Sequence, residues 1–192
     1  MSLLINADRF RHDFDSLAQI GATGDGGVNR PALSPAHLEA RKWFLARAAE
    51  AGLGTHVDSA GNHSAILRSP TSRSIPLGHA HTHTLLLGSH TDSVPNGGRF
   101  DGALGVLAAL EVLRTVKDAG LTLPVHLEAI DFTDEEGTLV GLLGSSALAG
   151  TLTPDALKNP RGGRAALEEG MAGEWATVLH PAPEGHPVPR MD

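Results

Sequence analysis

A strand, a polar loop, a helix and a second strand follow one another between residues 85 and 132 and set the architecture of this chain. The apolar run Leu85–Leu87 predicts a short buried strand, and residues 103–119 carry leucines at helical spacing up to a stop at Gly120. Residues 124–132 form the next apolar run. Two strands joined through a helix lie parallel in a sheet, with ligand sites at their carboxyl ends. The sequence therefore predicts an α/β fold.

Weaker patterns flank this unit. Residues 6–20 and 34–52 predict two helices that end at glycines, and residues 54–67 predict a strand, a turn and another strand. Residues 69–84 mix Ser, Pro, Gly and His without periodicity, which predicts a surface loop. From about Asn159 the pattern weakens into a segment rich in Gly and Pro, and we expect residues 159–192 to form a poorly ordered tail.

Composition narrows the function classes. The 15 basic and 22 acidic side chains give a formal charge of -7, which argues against nucleic acid as a partner. Cysteine is absent, so any metal must be held by His and carboxylates. The apolar run at the N-terminus is too short for a signal-peptide core or a membrane span. We expect a cytoplasmic protein that acts on small molecules, with no membrane partner.

Side chains that suit divalent metal ions occupy the loops after both strands of the central unit. His90 and Asp92 follow the first strand, Glu135 and Glu136 follow the second, and Asp101 lies directly before the helix. A neutral imidazole is a good metal ligand, and carboxylates can bind or bridge two ions that lie about 3.5 to 4 Å apart. The sequence therefore predicts a two-metal site assembled from loops at one edge of the sheet.

Chemistry assigns roles to some of these residues. Asp92 is placed to accept a hydrogen bond from the ring nitrogen of His90 that faces away from the metal. Asp101, next to Gly102, is the candidate bridge between the two ions. One of the adjacent glutamates Glu135 and Glu136 would bind a metal, and the other would transfer protons between water and the leaving nitrogen. Their chemistry alone leaves open which of the two glutamates binds the metal and which transfers protons.

Read together, the segments GSHTDSVPNGGRFDGALGVLAALEVL and AIDFTDEEGT resemble the amidase, hydantoinase and carbamoylase branch of the M20 metallopeptidase family. The resemblance implies a zinc-peptidase-like three-layer sandwich with a mostly parallel sheet. It also implies two divalent ions, Zn²⁺ first, with Mn²⁺, Co²⁺ or Ni²⁺ as alternatives. The implied substrates are small carbamoyl or ureido compounds, such as N-carbamoyl-L-amino acids and allantoate, and the implied full-length assembly is a homodimer.

The resemblance also assigns the individual residues. It implies that His90 and Asp101 are metal ligands, that Asp101 bridges, that Glu135 is the general base and that Glu136 is a ligand. Asp92 remains the residue that assists catalysis by orienting His90.

The chain departs from that family in length. Family members carry a lid and dimerisation domain and two further histidine ligands, and this sequence shows no counterpart of either. Leu139 and Val140 also stand where the family has an aromatic residue before glycine. We therefore expect residues 1–158 to form the N-terminal segment of an incomplete, truncated catalytic domain, which alone hydrolyses carbamoyl amino acids poorly or not at all.

Two alternatives stay open. A dipeptidase or aminoacylase of the wider M20 family would use a similar site, although the motif GGRFDG at residues 97–102 disfavours this alternative. A catalytically dead remnant that serves as a binding module is the alternative of another class. Among other polar features, His79, His81 and His83 lie outside the motif, residues 24–27 predict a turn rather than a phosphate loop, and Asn96 and Arg99 are expected to hold the site loop.

Overall fold

The computed structural model describes residues 3–70 and 83–178, and its helices and strands follow the predicted order. The elements are α1 (Ala7–Gln19), α2 (Pro35–Glu50), β1 (Gly54–Val57), β2 (His63–Leu67), β3 (Thr84–His90), α3 (Ala103–Asp118), β4 (His126–Phe132), α4 (Leu143–Leu148), α5 (Pro154–Lys158) and α6 (Arg164–Val178). The predicted α/β class is confirmed. None of the helices in these two ranges is long and apolar enough to cross a membrane.

Capping side chains fix the starts of the first two helices. The side chain of Asn6 accepts a hydrogen bond from the backbone N–H of Arg9 at the start of α1. Ser34 caps α2 in the same way, and Pro35 occupies the first position of that helix, where no backbone donor is needed. These caps satisfy amide groups that have no partner inside the helix.

The four strands form one mixed sheet in the order β1-β2-β4-β3. Strands β3 and β4 are parallel, as the strand, helix and strand pattern predicts, and His90 pairs with Phe132 at their carboxyl ends. The β1-β2 hairpin adds to β4 in the antiparallel sense. The described strands therefore form a mixed sheet rather than the mostly parallel sheet that the resemblance implies. Periodicity predicts that a segment is a strand, but it does not predict which strand lies beside it.

The main core lies between one face of the sheet and helices α2 and α3. Phe44 of α2 and Leu110 and Leu113 of α3 are fully buried against Ala65 and Ala129 of the sheet. Truncating either leucine to alanine would cost about 2 to 5 kcal/mol. Helix α1 packs on α2 and α3 through a second apolar cluster. This packing makes β3, β4 and the loops after them a rigid support for polar side chains.

The prediction of a poorly ordered tail from residue 159 is wrong for residues 164–178, which form α6. Leu167 and Met171 of this helix are buried in a third cluster with Leu33. A Cβ atom at Gly170 would lie 2.7 Å from the Cβ of Leu33, so this glycine permits close packing instead of ending a helix. Residues 179–192, and with them the rest of the predicted tail, lie outside the described residues, as do His79 and His81.

Candidate metal centre

His90 lies at the centre of the polar cluster, at the last position of β3. Its Nε2 atom is 3.4 Å from a carboxylate oxygen of Glu135 and 3.9 Å from one of Asp101. Its Nδ1 atom faces the other way, 3.1 Å from the backbone oxygen of Asp92 and 3.5 Å from a carboxylate oxygen of the same residue. The ring thus presents one nitrogen to the cluster and the other to Asp92.

Gly102 lets the loop before α3 approach this ring. Its φ is +61°, and a Cβ atom there would lie 2.5 Å from Cε1 and 2.6 Å from Nδ1 of His90. A side chain at position 102 would therefore push the imidazole away. The glycine brings the neighbouring Asp101 to the open side of the ring.

Three predicted ligands converge. One donor atom each from His90, Asp101 and Glu136 lies within 4.8 Å of the other two. An imidazole and two carboxylates are donors that suit Zn²⁺ and similar divalent ions, and three protein ligands are the number found in catalytic zinc sites. The side chains present therefore fit one divalent ion. A second ion would need further donors beyond those that the described residues gather here.

Asp92 ties the two site loops together. It is buried, and its two carboxylate oxygens accept hydrogen bonds from the backbone N–H groups of Glu135 and Glu136, at 3.4 Å and 3.1 Å. One carboxylate therefore contacts His90 on the β3 side and fixes the backbone of both glutamates on the β4 side. This holds the side chains of the two loops in a common arrangement.

The titration behaviour of the cluster follows from this packing. Burial lowers the pKa of His90, but the hydrogen bond and charge of Asp92 outweigh it, and the charge of Glu135 adds to them, so that the pKa is raised to about 9. Burial raises the pKa of Glu136, and the negative charge of Asp101 adds to that effect against the opposing charge of His90. Carboxylates crowded around one imidazole in this way favour the arrival of a cation.

Asp134 is a structural residue that the sequence did not single out. It is fully buried, its φ is +52°, and its carboxylate accepts hydrogen bonds from the backbone N–H groups of Leu139, Val140 and Gly141. It thereby closes the loop that presents Glu135 and Glu136. In the sequence it looks like one more member of an acidic run, and only its aspartate identity before a glycine-containing loop hints at this turn chemistry.

A buried ion pair supports the site from the sheet. The Thr91 hydroxyl donates to Asp131 at 2.7 Å, and Nε of the fully buried Arg41 lies 3.3 Å from the same carboxylate oxygen. Arg41 also donates to the Thr133 hydroxyl at 3.1 Å. Arg41 and Asp131, both fully buried, therefore connect Thr91, which follows β3, with Thr133, which follows β4.

The loop residues outside the ligand set have holding roles. The Asn96 amide donates to Asp25 at 2.9 Å, and residues 23–27 form a hydrogen-bonded turn, as predicted. The Arg99 guanidinium lies over the rings of Phe14 and Phe100, which stack at 4.9 Å between centroids. Since Phe100 precedes Asp101, this stack anchors the predicted bridging ligand to α1.

Comparison with known proteins identifies the relatives of this arrangement. Residues 74–163 match the model of Peptidase family M28. The chain is 38% identical over 157 residues to the N-carbamoyl-L-amino acid amidohydrolase of Geobacillus stearothermophilus and 33% identical over 147 residues to the allantoate amidohydrolase of Bacillus subtilis. A crystal structure of a hydantoinase/carbamoylase family amidase from Burkholderia phymatum superimposes with a TM-score of 0.77 at 32% identity, over 93% of this chain.

Most of this chain is similar to proteins of the hydantoinase/carbamoylase family of amidases. The branch predicted from the sequence is therefore confirmed, although the matching model bears the label M28 rather than M20 for the parent family. The alignments with the two enzymes cover 81% and 76% of this chain but only 36% and 34% of their own lengths, and the solved amidase is covered to 41%. The chain thus spans about a third of the length of these two relatives.

Proposed function

We propose that this chain carries a metal-binding part of a hydrolase that cleaves linear amide or ureido carbon-nitrogen bonds, with N-carbamoyl-L-amino acids or allantoate as the substrate class. The observation that carries the proposal is the convergence of donor atoms of His90, Asp101 and Glu136, with Glu135 beside them. The relatives support it, since those compared above are named as amidohydrolases of carbamoyl amino acids and of allantoate.

The proposed ligands are His90, Asp101 and Glu136, and Zn²⁺ is the first candidate ion. A divalent ion held there would polarise the carbonyl group of the scissile bond and acidify a water molecule. The gathered side chains hold one ion; a second ion, with Asp101 as the bridge, would need donors beyond those that the described residues bring together. Mn²⁺, Co²⁺ and Ni²⁺ remain alternatives for the metal.

Glu135 is the proposed general base. Its carboxylate lies 3.4 Å from Nε2 of His90, the nitrogen that also faces Asp101, and 38% of its side chain is exposed, so water and substrate can reach it. A carboxylate so placed can take a proton from the attacking water and pass it to the leaving nitrogen. Asp92 does not reach the open side, and we assign it to holding His90 and the backbone of both glutamates.

Activity of the 192-residue chain with a substrate panel tests this proposal. N-carbamoyl-L-amino acids, allantoate and dipeptides would be incubated with Zn²⁺, Mn²⁺, Co²⁺ or Ni²⁺, and ammonia and amino-acid release would be measured. We expect slow, metal-dependent hydrolysis of the carbamoyl or ureido compounds, because three gathered donors hold one ion and not two. Glu135→Gln should abolish it, and Glu50→Gln, on the exposed end of α2, is the control.

The other outcomes separate the alternatives. Preferential hydrolysis of dipeptides would favour the dipeptidase or aminoacylase reading. Metal binding with no hydrolysis of any compound would favour the binding module. Hydrolysis that persists unchanged in Glu135→Gln would contradict the proposed base.

A further inference from the structure

The segment that links the proposed ligands His90 and Asp101, residues 91–100, belongs to no helix or strand. Its first residues are nevertheless buried, with Thr91, Asp92 and Ser93 each exposed by 2% or less. A loop that is irregular and buried must obtain its backbone hydrogen bonds from elsewhere in the chain. Residues 25–30, which we call the strap, supply them.

The strap runs along the site segment and contacts it at successive points. Val28 and Gly97 exchange two backbone hydrogen bonds, at 2.9 Å and 2.8 Å. The backbone N–H of Arg30 donates to the Ser93 hydroxyl, and the backbone oxygen of Arg30 accepts from the N–H of Ser93, both at 2.9 Å. These bonds fix the strap and the site segment side by side.

The Arg30 side chain adds a connection of a different kind. Its guanidinium is buried, with the residue 1% exposed, and donates from Nε to the backbone oxygen of Thr91 at 2.9 Å. Its NH1 group donates to the backbone oxygens of Leu17 and Ile20, both at 3.0 Å, at the end of α1. The planar guanidinium of Arg30 thus joins the Thr91 carbonyl to the carboxyl end of α1, where a positive charge is favoured by the helix dipole.

Thr91 is consequently held from two sides. Its carbonyl group accepts from Arg30, and its hydroxyl donates to Asp131. The residue lies between His90 and Asp92, so its peptide orientation decides where the imidazole and the buried carboxylate point. A loosened peptide here would alter the angle at which Nε2 of His90 faces the other donors.

We infer that Arg30 is a positioning residue of the metal centre: its buried guanidinium locks the Thr91 carbonyl to the end of α1 and so keeps His90 and Asp92 in the arrangement that receives the ion. The inference rests on the proposed role of His90 as a ligand. Arg30 itself touches neither the ligands' donor atoms nor the substrate side of the site. Residues that orient metal ligands typically change metal affinity by about 10-fold to 100-fold when they are removed.

Cobalt binding by the 192-residue chain tests the inference without relying on turnover. Arg30→Lys keeps the positive charge but cannot span both Thr91 and α1, since a single ammonium group replaces the fork. We expect this variant to bind Co²⁺ at least about 10-fold more weakly and to show an altered visible absorption spectrum of the bound ion. Arg114→Lys is the matched control, because Arg114 is also a buried arginine that donates to a backbone oxygen, that of Arg47, and it belongs to α3 rather than to the site segment or the strap.

A purely structural role would lower the melting temperature of both lysine variants and leave the cobalt spectrum of both unchanged, and that result would overturn the inference. Ser93→Ala, which removes the hydroxyl that accepts the Arg30 N–H, is a milder second variant should Arg30→Lys fail to fold. We expect it to weaken Co²⁺ binding by a smaller factor, and wild-type binding in a folded Ser93→Ala protein would count against the strap. A wild-type chain that binds no Co²⁺ would instead refute the metal centre itself.

Discussion

Replacing Gly102 by alanine would drive a methyl group into the ring of His90. The new Cβ atom would lie 2.4 Å from the backbone oxygen and 2.5 Å from Cε1 of His90, at a φ of +61° that an alanine rarely adopts. Gly120 offers a matched comparison at the other end of α3. Its φ is +64°, but no heavy atom lies within 4 Å of the position its Cβ would take.

The two glycines therefore separate backbone strain from displacement of the ring. We expect Gly120→Ala to lower the free energy of unfolding by about 1 kcal/mol, the strain of the left-handed backbone alone. Gly102→Ala carries at least as much strain, because the backbone at φ +61° and ψ -54° lies outside the left-handed helical region, together with overpacking of about 1 to 3 kcal/mol, for a total of about 2 kcal/mol or more. Only Gly102→Ala should also weaken metal binding, because only it moves His90.

Urea denaturation and calorimetric titration with Zn²⁺ would measure the two effects on the same preparations. The expected pattern is a small loss of stability with normal Zn²⁺ affinity for Gly120→Ala, and a larger loss with impaired affinity for Gly102→Ala. Equal destabilisation of the two variants, or wild-type Zn²⁺ affinity in Gly102→Ala, would refute the contact between this glycine and the His90 ring.

Three further predictions follow from buried groups near the site. Asp134→Asn replaces one of two accepting carboxylate oxygens with a donor, and should lower stability in urea by about 2 kcal/mol or more; a change below about 0.5 kcal/mol would argue against its loop-closing role. Burial lowers the pKa of His37 and lowers that of His63 to about 3, with the charge of Arg41 acting in the same direction on both. Folded His63 therefore stays neutral above pH 5 while the unfolded chain takes up protons below pH 6.5, so stability should fall by about 1 kcal/mol between pH 6 and pH 5 through His63, and His37 acts in the same direction. His90, whose pKa is raised to about 9, is largely charged in both the folded and the unfolded state between pH 6 and pH 5 and so contributes little to this change. A free energy of unfolding in urea that stays constant between these pH values would contradict the prediction. Phe14→Leu removes the ring stack with Phe100 that anchors the loop of the bridging ligand. It should lower the free energy of unfolding by about 1 kcal/mol and weaken Zn²⁺ binding measured by calorimetry. Unchanged Zn²⁺ affinity would show that this stack does not position the ligand.

The sequence predicts the parts of this molecule that local chemistry decides. The apolar runs of β3 and β4 and the helix between them are visible because each is long, periodic and bounded by glycine or polar residues. The same pattern places His90 and Glu136 at neighbouring strand ends, and the structure brings them together with Asp101. Which glutamate binds a metal could not be derived from chemistry, since adjacent residues in a loop have no periodicity.

Other features depend on tertiary contacts that no local signal carries. The antiparallel partner of β4 is the β1-β2 hairpin, and nothing in its sequence names that neighbour. The Gly- and Pro-rich composition after residue 159 gives no signal for helix α6, whose Gly170 is needed for close contact with Leu33. Arg30 and Arg41 are buried although arginine is ordinarily a surface residue, and their roles follow only from the carbonyl and carboxylate groups around them.

Anomalous diffraction at the zinc absorption edge, from crystals of the chain grown with Zn²⁺, is the most direct test of the central claim. We expect an anomalous peak within bonding distance of Nε2 of His90 and of carboxylate oxygens of Asp101 and Glu136, with Glu135 beside it. Crystals that show no peak at this cluster, or a peak bound by other residues alone, would contradict it.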